Sequence, residues 1–233
     1  MDTLTVVIAA LLGILADVFY NVIRNYFAKK SDSEQLSVLM PSGQKVEIDA
    51  PRNDNKLLEE KIKSIIRSAE QPMSISKEHN INLLRDVVLP SASVFEKSLR
   101  KNNLNLVINE DMKKVPNINA DTEALRQVFF NLLDNAIKYS STGGTINING
   151  DESEDSVGVT ITGSSSAYLK PSEIDYIFEK GYRGVQSLEA NKTGTGLGLW
   201  VAKNLVEAHN GNLSIQPKEN QITTKIRLPR ETG

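Results

Sequence analysis

The chain of 233 residues carries 27 Lys plus Arg against 29 Asp plus Glu, a net charge of −2, with 39% hydrophobic residues. That balance excludes a disordered chain, a multi-span membrane protein and a dedicated polyanion binder, so no nucleic-acid partner is expected. Cysteine is absent and His79 and His209 are the only histidines, which excludes disulfides, thiolate zinc sites, cysteine nucleophiles and three-histidine metal sites.

Residues 4–16 (LTVVIAALLGILA) carry no charge, and the apolar pattern continues to Ile23, broken by Asp17 and Asn21. About 20 residues at 1.5 Å each span the hydrocarbon core of a bilayer. Asp17 would cost roughly 2.5–3.5 kcal/mol at the bilayer centre, but it lies near one end of the run. Arg24, Lys29 and Lys30 follow the run and no basic residue precedes it. The positive-inside rule then places the long C-terminal part in the cytoplasm. Residues 1–30 are thus expected to be a membrane anchor, a single transmembrane helix in the cytoplasmic membrane. The other reading is an amphipathic or partner-buried helix, because Asp17, Asn21 and Arg24 share one stripe. In a spanning helix, Asp17 and Asn21 suit helix–helix contacts in a homo-oligomer.

Residues 31–79 form a small module. LSVLM, Pro41-Ser42-Gly43 and QKVEIDA read as strand, turn and strand, and residues 56–71 as a helix with Leu57, Leu58, Ile62, Ile65 and Ile66 on one face. A lone hairpin is marginal, so it is expected to pack on that helix, a protein partner or a second copy. Assembly or sensing is the expected role.

From residue 80 to 233 helices and strands alternate. LLRDVVLPSASVFEKSLRKN reads as helix with a kink or break at Pro90. LNLVIN reads as a strand, and Asp121 as the N-cap of a helix over 121–140. TINING and VGVTITG read as strands, SEIDYIF as a short helix, residues 193–210 as a glycine-led helix, and NLSIQP with TTKIRLP as a closing hairpin. Helices against a largely antiparallel sheet predict a two-layer α/β sandwich.

In the 121–140 helix, Leu125, Val128, Phe129, Leu132, Leu133, Ala136 and Ile137 recur at spacings of three and four and form the expected core face. Asn131, Asn135 and Lys138 fall opposite, with Tyr139 beside them. That row is either a solvated face or a ligand-facing one. An Asn carboxamide can bind Mg²⁺ and donate to phosphate, Lys supplies a point charge, and Tyr offers a flat surface for a base. The second motif, Thr193-Gly194-Thr195-Gly196-Leu197-Gly198-Leu199, opens a helix. Its glycines let backbone approach a phosphate at the helix N-terminus, or simply let the helix start pack closely on the sheet. It is not a Walker A loop, since no Gly-Lys-Ser/Thr follows.

Taken together, NLLDNAIKYS, IFEKGYRG and TGTGLGLWVAKNLVEAHNGNLSI resemble the catalytic ATP-binding domain of sensor histidine kinases, within the wider ATPase superfamily of gyrase, Hsp90 and MutL. The resemblance covers roughly residues 80–230 and implies the histidine-kinase-like ATPase fold, with ATP and Mg²⁺ as cofactors. It implies that Asn131 and Asn135 lie in the nucleotide site, with Asn135 the Mg²⁺ ligand, Lys138 at the phosphates and Tyr139 beside the adenine. Thr193, Gly194, Thr195, Gly196, Leu197 and Gly198 would wrap the triphosphate. Phe178, Tyr182 and Arg183 would begin a lid running from Lys180 to Thr193, with Arg183 a phosphate contact. Trp200 would face the core, and His209 would cap or pack.

The sequence departs from that family at two places. Where the family carries an Asp-x-Gly-x-Gly box, alignment from IDYIF gives Ser164, Ser166 and Tyr168. A hydroxyl replaces the carboxylate that accepts from the adenine amine. No phosphoacceptor helix is recognisable, and His79 (KEHNINLL) reads as the entry to the domain. The expected function is a membrane-anchored, histidine-kinase-like ATP-binding protein in signalling, with phosphoryl transfer to a histidine on a partner. The alternative is a non-catalytic, pseudokinase-like scaffold with weak or no nucleotide binding.

Overall fold

The computed structural model describes residues 5–7, 36–39, 45–48, 56, 57, 60, 61, 64, 75, 78–165, 169–184, 196–218 and 220–230. Most of the expected anchor lies outside them. Its described part, Thr5–Val7 (β1), is a strand rather than the start of a helix. Three β-branched residues in a row favour extended backbone. No helix among the described residues is long and apolar enough to cross a membrane. Strand β1 pairs in parallel with Leu36–Leu39 (β2), which pairs antiparallel with Lys45–Ile48 (β3). The expected hairpin therefore gains its third strand from the N-terminus of its own chain.

The larger unit begins with His79–Ile81 (β4), paired antiparallel with Ile118–Ala120 (β6). His79 is exposed in that strand. The next stretch runs through Pro90, which sits in the first turn of a helix where π-type gives way to α-type winding, and is interrupted at Phe95. Leu83–Val88 is a π-type turn, Leu89–Val94 (α1) a short helix, and Glu96–Lys101 (α2) another. Asn82 starts the run by a reciprocal pair of bonds: its Oδ1 accepts from Arg85 N–H at 3.0 Å, and Asp86 Oδ2 accepts from its own N–H at 2.8 Å. The Arg85 guanidinium on Asp86, with that N–H, holds the Asp86 carboxyl at about 2. Pro90 has no N–H for the carbonyl of Asp86, four residues back. Arg126 Nε donates to that oxygen instead, at 2.8 Å.

Asn105–Ile108 (β5), Thr145–Glu152 (β7), Ser156–Ser164 (β8), Gln221–Pro229 (β10) and Asn212–Lys218 (β9) form one sheet, in that spatial order. Only the β5–β7 pair is parallel. Strand alternation buries Ile146, Ile148, Val159, Ile161, Leu213, Ile226 and Leu228 on one face and sends Asn147, Asn149, Thr160, Thr162 and Lys225 to the other. Helices Thr122–Tyr139 (α3) and Gly198–Ala208 (α4) pack on each other and on the buried face. This is the predicted two-layer sandwich. Asp121 caps α3 as expected, its Oδ1 accepting from Ala124 N–H at 2.9 Å.

The expected helix at SEIDYIF is instead a 3₁₀ turn, Pro171–Glu173, followed by further turns. The buried Glu173 carboxylate sets this path. It accepts from Lys170 N–H at 3.1 Å and from Tyr182 O–H at 3.2 Å, drawing the two ends of the segment together.

His209 is the residue that locks α3 to α4. Its Nε2 accepts from the backbone N–H of Asp121 at 3.0 Å, so Nδ1 carries the proton and donates to the Leu205 carbonyl at 2.7 Å. Replacing it by Leu keeps the apolar volume but leaves the Asp121 N–H without an acceptor. We expect His209→Leu to lower stability by about 1–3 kcal/mol, read from urea unfolding of the full chain. An unchanged midpoint would show that this bond does not hold the two helices together.

Candidate functional site

Helix α3 is buried over most of its circumference. All seven predicted core positions face inward, with Ala136 the most accessible. The polar row is not a solvated face. Asn131 is only 4% exposed and Gln127 only 2%. Asn135, Lys138 and Tyr139 are half-buried further along the helix. Asn131 Oδ1 accepts from Ser64 Oγ at 2.9 Å and from Gln127 Nε2 at 3.5 Å. Asn131 Nδ2 is fully buried and has no hydrogen-bond partner among the described residues. A buried amide donor left unmade costs about 1–3 kcal/mol, so its presence calls for an acceptor.

The start of α4 lies against this amide. A Cβ placed on Gly198 would stand 3.7 Å from the Asn131 side chain. Leu197, which precedes the helix, gives its first turn no side-chain cap. The N–H groups of the first turn of an 11-residue helix, not capped by the Leu197 side chain, therefore open beside a buried, unspent amide. Gly196 has φ +69°, and a Cβ there would come within 2.6 Å of the Gly181 backbone. Only glycine fits, and the fit lets Gly181 N–H bond to the Gly196 carbonyl at 3.0 Å. The base of the expected lid is thereby joined to the glycine loop. Lys180 lies over the Trp200 ring at 4.6 Å and Lys203 over Phe178 at 5.1 Å, two further ties between 178–184 and α4. Arg183 is half-buried in this segment. Burial, with the bond to Glu173, raises the Tyr182 hydroxyl above its ordinary value and keeps it a donor. Thr193, Gly194 and Thr195 lie outside the described residues, as do Ser166 and Tyr168.

At the other end of α3, strand register changes the expectation for Ser164. Gly163 pairs with Ile146 on the helix-facing side, so Ser164 belongs to the opposite face. Its Oγ is buried without a partner among the described residues, where a side chain on Gly144 would overlap it. The next residue, Ser165, bridges to Ser140 and points its hydroxyl at the Tyr139 carbonyl, at 3.5 Å. Ser165 is therefore the hydroxyl beside Tyr139. Sequence reasoning also missed Gln127 and Ser64. Gln127 was readable one turn before Asn131 in the same stripe; Ser64, 67 residues away, carried no signal.

These residues fit a phosphate-bearing ligand with a hard cation. The unspent Asn131 amide and the uncapped α4 start offer donors, and Asn135 offers a carbonyl oxygen. Among the described residues no group of three His, Cys, Asp or Glu is placed to hold a metal. A cation here would take few protein ligands and keep oxygens from phosphate and water, as Mg²⁺ does.

The Gly196 geometry makes a prediction of its own. An L-residue at this dihedral costs roughly 1–2 kcal/mol, before the clash with Gly181 is counted. We expect Gly196→Ala to lower the melting temperature and to strip hydrogen-exchange protection from the Gly181 amide. Retained protection there would show that the loop and lid base are not joined in this way.

Comparison with known proteins agrees with this geometry. Residues 120–232 match the family described as "Histidine kinase-, DNA gyrase B-, and HSP90-like ATPase". The sensor protein SrrB of Staphylococcus aureus (strain N315) is 30% identical over 195 residues, covering 79% of this chain and 31% of SrrB. The chain thus spans about a third of that relative's length. The catalytic domain of histidine kinase ThkA, in a nucleotide-free form, shares the fold, with a TM-score of 0.56 at 24% identity over 66% of this chain and 99% of that one. Full-length ShkA in complex with AMPPNP aligns with a TM-score of 0.62 at 15% identity, over 96% of this chain and 47% of that one. The segment 120–232, with its asparagine row on α3 and its glycine-led α4, belongs to the family of histidine kinase-, DNA gyrase B- and HSP90-like ATPases.

Proposed function

We propose that the domain binds Mg-ATP between α3 and the start of α4 and serves as the nucleotide-holding part of a sensor kinase, supplying a phosphoryl group to a histidine on a partner. The observation that carries this reading is the Asn131 amide, fully buried with donors unspent, beside a helix start without a side-chain cap. ATP would supply the transferable group, and Mg²⁺ would neutralise its phosphate charge. Asn131 and the α4 N–H groups would bind phosphate oxygens, Asn135 would hold the cation, and Lys138 would add charge. Gly196, Leu197 and Gly198, with Thr193, Gly194 and Thr195, would wrap the triphosphate, and Arg183 would reach it from the lid base. Tyr139 would flank the base. The histidines of this chain support a partner as acceptor: His79 sits in a paired strand, and both ring nitrogens of His209 are engaged.

The base end is the weaker half of such a site. Serine hydroxyls stand where the family places a carboxylate, and Ser164 faces away. Losing a charge-assisted hydrogen bond costs about 1.5–3 kcal/mol, roughly ten- to a hundredfold in affinity. Calorimetry on the full chain should show weak, Mg²⁺-dependent ATP binding, only slightly better than GTP binding. Asn135→Ala should abolish it. No binding of Mg-ATP at millimolar concentration would refute the nucleotide reading, and tight adenine-selective binding would refute the account of the base end.

The proposal extends to the membrane. The apolar run through Ile23 and the Arg24, Lys29, Lys30 flank support an anchor with the ATPase domain in the cytoplasm. A single crossing between residues 8 and 35 would put β1 and β2 on opposite sides, so an anchored chain gives up that pairing. Carbonate extraction separates the two arrangements. We expect the full chain to stay with the membrane; its release would favour the three-stranded sheet.

A further inference from the structure

The five described residues of the stretch 56–64 are helical and fall on one face: Lys56, Leu57, Glu60, Lys61 and Ser64. That face is docked on the ATPase domain. Leu57 is 4% exposed and joins the main core. Lys56 Nζ donates to Ser93 Oγ at 2.9 Å, at the end of α1. Lys61 pairs with Asp134 of α3 at 3.8 Å. Ser64, 7% exposed, donates to Asn131 Oδ1. Three of these contacts hold the helix in place, whereas the fourth reaches the amide on which the nucleotide reading rests.

The chemistry of that fourth contact is specific. A carboxamide has two ends of opposite character, an acceptor oxygen and a donor nitrogen. Two donors, the Ser64 hydroxyl and the Gln127 amide, converge on Asn131 Oδ1. Turning the amide over would set its NH₂ against the Gln127 NH₂ in a buried place. The pair therefore fixes which end is spent within the protein and keeps both Nδ2 protons for something else. An anion needs that end, since phosphate oxygens accept and do not donate at neutral pH.

We propose that Ser64 is a positioning residue for the nucleotide. From a helix outside the family-matched segment it locks the Asn131 carboxamide with its donors available to phosphate. The proposal rests on the Mg-ATP reading above. It also makes the 56–64 helix part of the site, so that movement of this helix away from α3 would weaken nucleotide binding.

Calorimetric titration of the full chain with Mg-ATP tests it, with melting temperature in the absence of nucleotide as a control. Ser64→Ala should weaken binding about tenfold. Ser64→Thr keeps the hydroxyl and should restore affinity to within about twofold of the unaltered protein. Lys61→Gln cuts a contact of the same helix that does not touch the amide, and should leave affinity within about twofold. Equal or tighter binding by Ser64→Ala overturns the proposal. So does equal weakening by Ser64→Ala and Lys61→Gln, which would make docking of the helix, not the hydroxyl, the cause. If the unaltered protein binds no Mg-ATP, both this proposal and the nucleotide reading fall; if it binds and Ser64→Ala binds equally well, only this one does.

Discussion

A helix buried on nearly every side must find partners for whatever polar groups it carries, and α3 is that helix. Its apolar residues, Leu125, Val128, Phe129, Leu132 and Leu133, lie against the sheet and the neighbouring helices and need nothing further. Its polar stripe is the constrained part. Gln127 and Asn131 are as buried as the leucines, so every donor and acceptor on them must be matched or be costly. Gln127, Ser64 and the backbone near Gly198 surround the stripe, and one amide end is still left over. The arrangement is unfavourable for an isolated fold and favourable for one that takes an anion there.

The rest of the architecture serves to hold α3 and α4 in register. The sheet offers a single apolar face, so both helices must lie on the same side and touch each other. His209 sets where along their length they meet, joining the last turn of α4 to the N-cap of α3. That link at one end leaves the other end of α4 beside the middle of α3, where Gly198 meets Asn131. A Cβ on Gly198 would stand in ordinary contact with the Asn131 side chain, 3.7 Å away, so the two helices touch there without a clash. At Gly196 glycine is required, since the left-handed backbone and the Gly181 contact both exclude a side chain.

Much of this was legible in residue order, for reasons that also explain what was not. The α3 core face, the Asp121 cap and the change of helix type beside Pro90 follow from local rules that act within one or two turns. The polar row was ambiguous because periodicity shows which residues share a face but not what covers it. Alignment from IDYIF pointed to Ser164, but a shift of one in a strand exchanges faces, and it is Ser165 that turns its hydroxyl toward the Tyr139 carbonyl. SEIDYIF has helical composition, yet a buried Glu173 bound to both Lys170 and Tyr182 outweighs propensity. The β1–β2 pairing and the Ser64 contact join residues tens of positions apart, and no local pattern announces either.

The two ends of α3 differ in what they can recognise, and the difference is physical rather than a matter of motif. Near Asn131 the groups on offer are donors: an unspent amide and, beyond it, a helix start. Donors fixed before the ligand arrives cost little reorganisation and attract charge, so they suit phosphate. Near Tyr139 the groups are hydroxyls and backbone, with Ser165 already turned toward the Tyr139 carbonyl. A hydroxyl can donate or accept, which lets it adapt to either edge of a purine but gives it little power to reject one. A site built in this way would hold a nucleotide by charge and metal and read its base poorly. Whatever controls the phosphate end of such a site would control binding as a whole, and the Ser64 bond to Asn131 would place part of that control on a helical face outside the ATPase segment itself.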